Sequence, residues 1–328
     1  MSDNPEFDPD DVTGIVESKL NNFSILVCVD GSTESDRALK YAIRLGTGTD
    51  ADLTLLYVRP IDQGLRTAGL QFSVARENLI NWGIDLPGMK VLKNARDQLI
   101  ELGLLSDGTE EEFKHTDVVG DPLGDNMIVY STDSGRTITL KLMVAPSIVH
   151  GILDESDIGD YAITIVARAD SHDGSGLGFI DPRMAEDIAL EHEGTVLIAH
   201  ELEESHGHLV CVKDNEASIA AARRDAVIAS RCACPIYLFS VASDETEIES
   251  AKRAIARAKV AVEEVGAMVS GDKIAVGDPT ENIVEEGKNY SVIVLAAPTK
   301  KKGWRRLFAV SVANMVLAKA HNSVMIAR

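Results

Sequence analysis

The sequence predicts an α/β protein in which one unit is used twice, each unit an open, mainly parallel sheet with helices on its faces. Repetition is the first observation. Phe23-Ser-Ile-Leu-Val-Cys-Val-Asp returns as His208-Leu-Val-Cys-Val-Lys, Val119-Gly-Asp-Pro as Val276-Gly-Asp-Pro, and Thr195-Val-Leu-Ile-Ala as Ser323-Val-Met-Ile-Ala. Three landmarks repeated in one order mark an internal duplication. The second observation is the alternation of short β-branched runs with helical periods, which implies right-handed crossovers and a parallel sheet buried on both faces. The third is length, because 328 residues suit two domains with a core each. The spacing between matched landmarks shrinks from 183 to 157 to 128 residues, so the first copy is expected to carry insertions of 26 and 29 residues.

The second copy is the plainer one. Residues 209–212 form an apolar strand, and Asn215 offers an N-cap to a helix over 217–229. Residues 236–241 are β-branched and aromatic, 247–265 read as a long amphipathic helix, and 273–276 as a strand. A helix begins at Asp278-Pro-Thr, and a strand at 292–295, a helix at 312–320 and a strand at 324–327 complete the unit. The first copy follows the same order. Strands are expected at 25–29, 53–58 and 117–119, with helices at 35–45 and 89–102. Residues 126–132 and 137–144 alternate around the turn Asp133-Ser-Gly-Arg, which predicts a β-hairpin. A helix at 147–153, a strand at 162–166, a helix at 184–190 and a strand at 195–199 follow. The expected division is an acidic stretch over 1–22, a first domain over 23–200 with insertions at about 60–88 and 123–146, a linker over 201–207, and a second domain over 208–328.

Charge narrows the function. The formal net charge is −20, and it is uneven: residues 205–328 hold 17 Lys/Arg against 14 Asp/Glu, residues 1–204 hold 15 against 38. So acidic a first half repels nucleic acid and anionic membrane, and a well-solvated surface is its plainest reading. No apolar run reaches the ~18 residues of a membrane span. The opening residues are acidic and polar, unlike a signal peptide, and the four cysteines are too few and too scattered for a disulfide framework. A cytoplasmic protein without nucleic-acid or membrane partners is the expectation.

Ile25-Leu-Val-Cys-Val-Asp-Gly-Ser, the helix with Arg37-Ala-Leu and Tyr41-Ala, Gly120-Asp-Pro, Asp160-Tyr-Ala-Ile-Thr-Ile-Val, and the endings through Thr195 and through Ser311-Val-Ala-Asn-Met-Val together resemble the universal stress protein family. The pattern occurs in order and twice, outside residues 1–22 and the insertions, so the chain resembles a tandem universal stress protein. The resemblance implies two flavodoxin-like or Rossmann-like domains pairing as a pseudo-dimer within the chain, with a homodimer of whole chains or an unidentified protein as further partners. It also implies a nucleotide site in the family's binding branch: an Asp ending the first strand for the adenine and ribose end, and a Gly-x2-Gly-x9-Gly-Ser/Thr loop after the fourth strand for the phosphates. Glycines let backbone N–H groups approach anionic oxygens, and the next helix adds its dipole.

Both copies depart from that pattern. The first keeps Asp30, Gly31 and Ser32, with Gly120 in its Gly-Asp-Pro. Its loop keeps Gly174, Gly176 and Gly178 but ends in Pro182-Arg183, and Asp170 and Asp173 would repel a polyphosphate. In the second copy Lys213 replaces the Asp, with Asp214 one position on, and most loop glycines are gone while Ser311 keeps a hydroxyl. Lys300, Lys301, Lys302, Arg305 and Arg306 instead surround Gly303-Trp304. Such cations could hold phosphate and Trp304 could stack on a base, or the loop could be solvated surface facing the acidic half. ATP, ADP or AMP are the cofactors to expect if a site survives, and the residual site is expected around Asp30.

Cys232-Ala-Cys234 lacks a second ligand pair in sequence and reads as thiols, and His200, His206 and His208 read as a polar loop, so no metal is expected. No nucleophile–base pair, paired-carboxylate signature or Gly-x4-Gly-Lys-Ser loop is present. The expected function is therefore regulatory and interaction-based with degenerate nucleotide motifs, ahead of an adenine-nucleotide binder, with an ATP-hydrolysing switch last.

Overall fold

The computed structural model describes residues 23–46, 51–61, 88–167, 178–200, 207–297 and 312–328. The expected acidic stretch, the interior of the first insertion and most of the linker lie outside the described residues. The first half runs β1 (Ser24–Cys28), α1 (Ser35–Gly46), β2 (Asp52–Pro60), α2 (Met89–Glu101), β3 (Glu111–Val118), β4 (Asp121–Ser131), β5 (Thr137–Ala145), α3 (Ile148–Ile158), β6 (Ile163–Ala167), α4 (Pro182–Glu191) and β7 (Val196–Ala199). The second runs β8 (His208–Cys211), α5 (Glu216–Arg231), β9 (Ile236–Ala242), α6 (Ile248–Glu263), β10 (Val269–Val276), α7 (Pro279–Gly287), β11 (Val292–Ala296), α8 (Val312–Lys319) and β12 (Ser323–Ala327).

These strands form one 12-stranded sheet in the order β10-β9-β8-β11-β12-β7-β6-β1-β2-β5-β4-β3. Period-two burial explains its two covered faces. Ile25 and Val27 join one core with Val210, Leu238 and the helices α1, α2, α5 and α6, while Leu26 and Cys28 join a second core with Leu209, Phe239 and α3, α4, α7 and α8. On α1 the buried Ala38, Leu39, Ala42 and Leu45 make one apolar stripe, as an amphipathic helix on a sheet requires. The halves meet where β7 and β12 pair antiparallel through Val196↔Ile326, Leu197↔Met325 and Ile198↔Val324. Outward from that seam each half repeats one order: β12, β11, β8, β9, β10 on one side and β7, β6, β1, β2, β5 on the other.

This order corrects the expected second insertion. The strand Thr137–Ala145 is no added hairpin arm, because it pairs parallel with β2 from Leu53↔Ile138 to Pro60↔Ala145. That is the place β10 holds beside β9, where Ala242 faces Val276. The added strands are β3 and β4, antiparallel to each other and to β5 at the sheet's edge. Of the expected strand at 117–119, Asp117 and Val118 end the antiparallel edge strand β3, most of whose residues are exposed, and Val119 lies in the turn after it. The misleading landmark was the repeated tetrapeptide. In the second half Asp278 follows β10 and caps α7, accepting from the Glu281 N–H at 2.9 Å. In the first half Gly120 and Asp121 instead make the β3–β4 turn, Gly120 at φ +90°. The cap after β5 is Ser147, whose Oγ accepts from the His150 N–H at 3.2 Å.

Candidate ligand-binding site

In an open parallel sheet, ligands sit beyond the carboxyl ends of the strands where strand order reverses. That reversal falls between β1 and β6 in the first half and between β8 and β11 in the second. Because β7 and β12 run antiparallel, the two places lie at opposite edges of the sheet.

In the second half the place is a cleft of about 270 Å³. Its floor is Cys211 at the end of β8 and Val212 just after it, Phe239 and Val241 from β9, and Leu295 and Ala296 from β11. Asn215, which caps α5 by accepting from the Ser218 N–H at 2.9 Å, stands on its wall with Pro279 at the start of α7 and Val312 at the start of α8. Three helix N-termini therefore border it, and their partial positive charge favours an anion. Lys213 lies exposed at the rim. Asp214, the alternative acid, is not part of the lining. It accepts from Arg253 at 3.0 Å and Arg257 at 2.9 Å, and those guanidiniums hold its carboxyl below the usual value. Burial pushes the Cys211 thiol far up, so no thiolate nucleophile lines the cleft. The cleft can bind and orient, and among the described residues its lining holds no acid–base pair.

In the first half the described residues close on themselves. Asp30 stands after β1 as expected, with Oδ1 accepting from the Ser32 N–H at 2.9 Å and the Ser32 hydroxyl at 2.5 Å. Its Oδ2 accepts from the Ile180 N–H at 3.0 Å. Gly31 has φ +83°, and a Cβ there would also sit 3.0 Å from Val91 Cγ2. Gly178, read as a phosphate-loop glycine, is where the Tyr57 ring lies: a Cβ would be 2.4 Å from Tyr57 Cζ, and the Gly178 N–H bonds the Tyr57 hydroxyl. Gly88, at φ +90°, covers the ring's other side. Burial, with Asp30 nearby, holds the Tyr57 hydroxyl above its ordinary value although the Gly178 amide opposes it. The first turn of α4 carries its own anion, since Asp181 accepts from the Met184 N–H at 2.8 Å. Asp30, Gly31, Ser32 and Gly178 therefore gather at one strand edge, but around protein groups. Gly120 belongs to the β3–β4 turn, where Asp121 pairs with the buried Arg59 at 2.6 Å. Gly174, Gly176, Lys300, Arg305 and Ser311, with Trp304, lie outside the described residues.

One constellation escaped the sequence reading. Cys232, Cys234 and His208 offer ligand atoms that all lie within 4.8 Å of one another. The cysteines stand 24 and 26 residues from His208, and only the β8–β9 register, which sets His208 against Ile236, brings them together.

Residues 22–81 match the sequence model of the Universal stress protein family. No curated protein matches the chain. Among solved structures, a candidate universal stress protein from Pseudomonas aeruginosa UCBPP-PA14 is similar over 94% of each chain, with 14% identity and a TM-score of 0.58. A universal stress protein from Archaeoglobus fulgidus DSM 4304 is similar over 93% of this chain and 98% of its own, with 14% identity and a TM-score of 0.56. A protein of unknown function from Pseudomonas aeruginosa PAO1 gives 13% identity and a TM-score of 0.58 over 95% of this chain and 94% of that one. At such identities the likeness is one of fold. The class defined by fold and sequence together is an α/β protein with one universal stress protein domain recognised at residues 22–81 and a whole-chain architecture shared with solved universal stress proteins.

Proposed function

We propose that this chain is a tandem universal stress protein, a regulatory protein that acts by binding rather than by catalysis, with its halves paired like the two subunits of a dimer. The matching strand orders on either side of β7 and β12 support the pairing. We further propose that its ligand site is the cleft of the second half and that the ligand is a small phosphorylated molecule with a flat apolar part, of the adenine-nucleotide kind. The observation that carries this reading is the cleft itself, about 270 Å³ at the switch point with an apolar floor and three helix N-termini around it. Its size lies near the ~300 Å³ lower bound of small-molecule sites. In sequence, the basic stretch of residues 300–306 falls between Ala297 and Val312, and both of those residues line the cleft. The Asp30 edge is the weaker alternative, because both carboxylate oxygens are already bonded.

Calorimetric titration of the full chain with AMP, ADP and ATP tests the reading, after chromatography of the denatured protein for co-purified nucleotide. Lys213→Glu, which reverses the charge at an exposed rim position, should weaken binding of an anionic ligand about tenfold. Asp30→Ala should leave it unchanged. Loss with Asp30→Ala and none with Lys213→Glu would move the site to the first half, and no binding by any nucleotide would leave a protein that works through partners alone.

A further inference from the structure

At the other end of β8 from that cleft lies a group of side chains with a different chemistry. His208 opens β8, Cys232 is the C-cap of α5, and Cys234 precedes β9. The His208 N–H donates to the Pro235 carbonyl at 2.8 Å, which fixes the strand start against the cysteine turn. Between the cysteines Ala233 takes φ +51°, a left-handed conformation that costs an alanine about 1–2 kcal/mol. The structure records the two cysteines as a disulfide, with Cα atoms 5.2 Å apart. Beneath them is Asp225, seven residues before Cys232, which places both on one face of α5. Asp225 is fully buried and its Oδ1 lies 2.7 Å from His208 Nδ1. Its Oδ2 is buried and has no hydrogen-bond partner among the described residues. A carboxylate sealed from water with one hydrogen bond is costly unless positive charge sits close by.

We infer that, once reduced, Cys232, Cys234 and His208 form a binding site for one zinc-type cation, with Asp225 orienting the imidazole. With Nδ1 held by the carboxylate, Nε2 is the nitrogen free to coordinate, the carboxylate–histidine–metal arrangement of metal sites. Two thiolates and an imidazole select a borderline-soft cation over calcium or magnesium and leave a fourth tetrahedral position. Beside the ligands is a cavity of about 20 Å³, lined also by Tyr41, Arg44 and Leu45 of the first half. That exceeds the ~10–15 Å³ needed for one water, so the fourth ligand has room. Metal charge reaching Asp225 through the imidazole would offset the cost of burying that side chain.

The same sulfurs cannot hold a disulfide and a metal together, so the site is also redox-gated. A dithiol reductant gives two electrons and two protons to the S–S bond, becoming a disulfide itself and leaving two protein thiols. Zinc then displaces the two thiol protons to solvent. The cavity is shared by residues of both halves, so the exchange happens at their seam.

The test uses the full chain, reduced with dithiothreitol, freed of it without air, and titrated with Co²⁺ and then Zn²⁺ against a chromophoric chelator. The expected result is one cobalt per chain with thiolate charge-transfer absorption and the intense visible bands of a tetrahedral ion, displaced by zinc bound with a Kd below about 1 μM. Cys232→Ser or Cys234→Ser should remove the thiolate band in part and weaken zinc binding at least ~100-fold. Asp225→Asn should keep the cobalt–thiolate spectrum while weakening affinity ~10–100-fold, which separates a positioning role from a ligand. The oxidised wild-type chain, which needs no mutation and so no assumption about folding, should bind no zinc here. Binding that is equal in oxidised and reduced protein, or a cobalt spectrum without thiolate absorption, would overturn the site.

Discussion

At the residue scale, Arg59 and Asp121 show how a motif residue can become structural. Both side chains are essentially sealed from solvent, and they meet at 2.6 Å. Asp121 also accepts from the Leu123 N–H at 2.9 Å and the Gly124 N–H at 3.3 Å. Burial alone would raise its carboxyl, but Arg59 and those amides bring it below the ordinary value. Arg59→Met should therefore cost about 3–5 kcal/mol, because it strands a buried carboxylate. A depressed carboxylate contributes stability that is complete above its unfolded value and is lost as pH falls through its folded value. The stability gap between wild type and Asp121→Asn should thus be constant near neutrality and narrow below pH ~3.9. Urea midpoints from pH 7 down to pH 3 measure both effects, and a gap independent of pH would contradict the assignment.

At the element scale, the sheet position of each strand decides what it can tolerate. Leu140 on β5 is fully buried between β2 and β4 and belongs to the core, whereas Phe113 on the edge strand β3 is 55% exposed. Leu140→Ala should cost about 2–5 kcal/mol, while Phe113→Ser should stay within about 0.5 kcal/mol. Denaturant unfolding of the two variants compares them directly, and equal costs would return β5 to the status of an appended arm. The sequence made most elements legible through simple signals: Ile25 to Val29 as an apolar run, Asn215 as a cap, Ala217 to Ala229 as a helix. It misplaced the second insertion because Gly120-Asp121-Pro122 and Gly277-Asp278-Pro279 are identical locally, and only the pairing of the strand before each, β3 with β4 and β10 with β9, distinguishes their roles. Asp30 was legible as a strand-end acid, but not the Ile180 amide that occupies it 150 residues away. The cleft of the second half was hidden for the opposite reason. Loss of the Asp and glycines looked like loss of a site, although cleft volume depends on side chains from six separate elements.

At the scale of the whole molecule, the seam determines whether the halves behave as one body. Three facing residue pairs join β7 to β12, a short ladder between halves of this size. Side chains reinforce it. The His200 N–H donates to Ser323 Oγ at 3.0 Å, and the Arg231 guanidinium lies 3.8 Å above the Phe23 ring. Arg328, following β12, reaches across to the last turn of α4 and the loop beyond it. It donates to the carbonyls of Ala189 at 3.2 Å, Leu190 at 2.9 Å and Gly194 at 3.3 Å. A cation there meets the negative end of the helix dipole as well as carbonyls that α4 leaves unpaired. Buried Leu197 and Met325 continue the apolar core through the seam, so exposing one half strips cover from the other. The two halves should therefore unfold in a single calorimetric transition whose van't Hoff and calorimetric enthalpies agree. Arg328→Ala removes charge-assisted hydrogen bonds from one side of the seam only, at a cost of about 1.5–3 kcal/mol. Because that loss weakens coupling more than either core, the variant should broaden or split the transition, whereas Arg328→Lys should restore part of it by keeping the cation at the helix end. A wild-type protein that already melts in two steps would mean the halves are joined by chain alone, and an Arg328→Ala trace that simply shifts without broadening would place the coupling in the apolar seam instead.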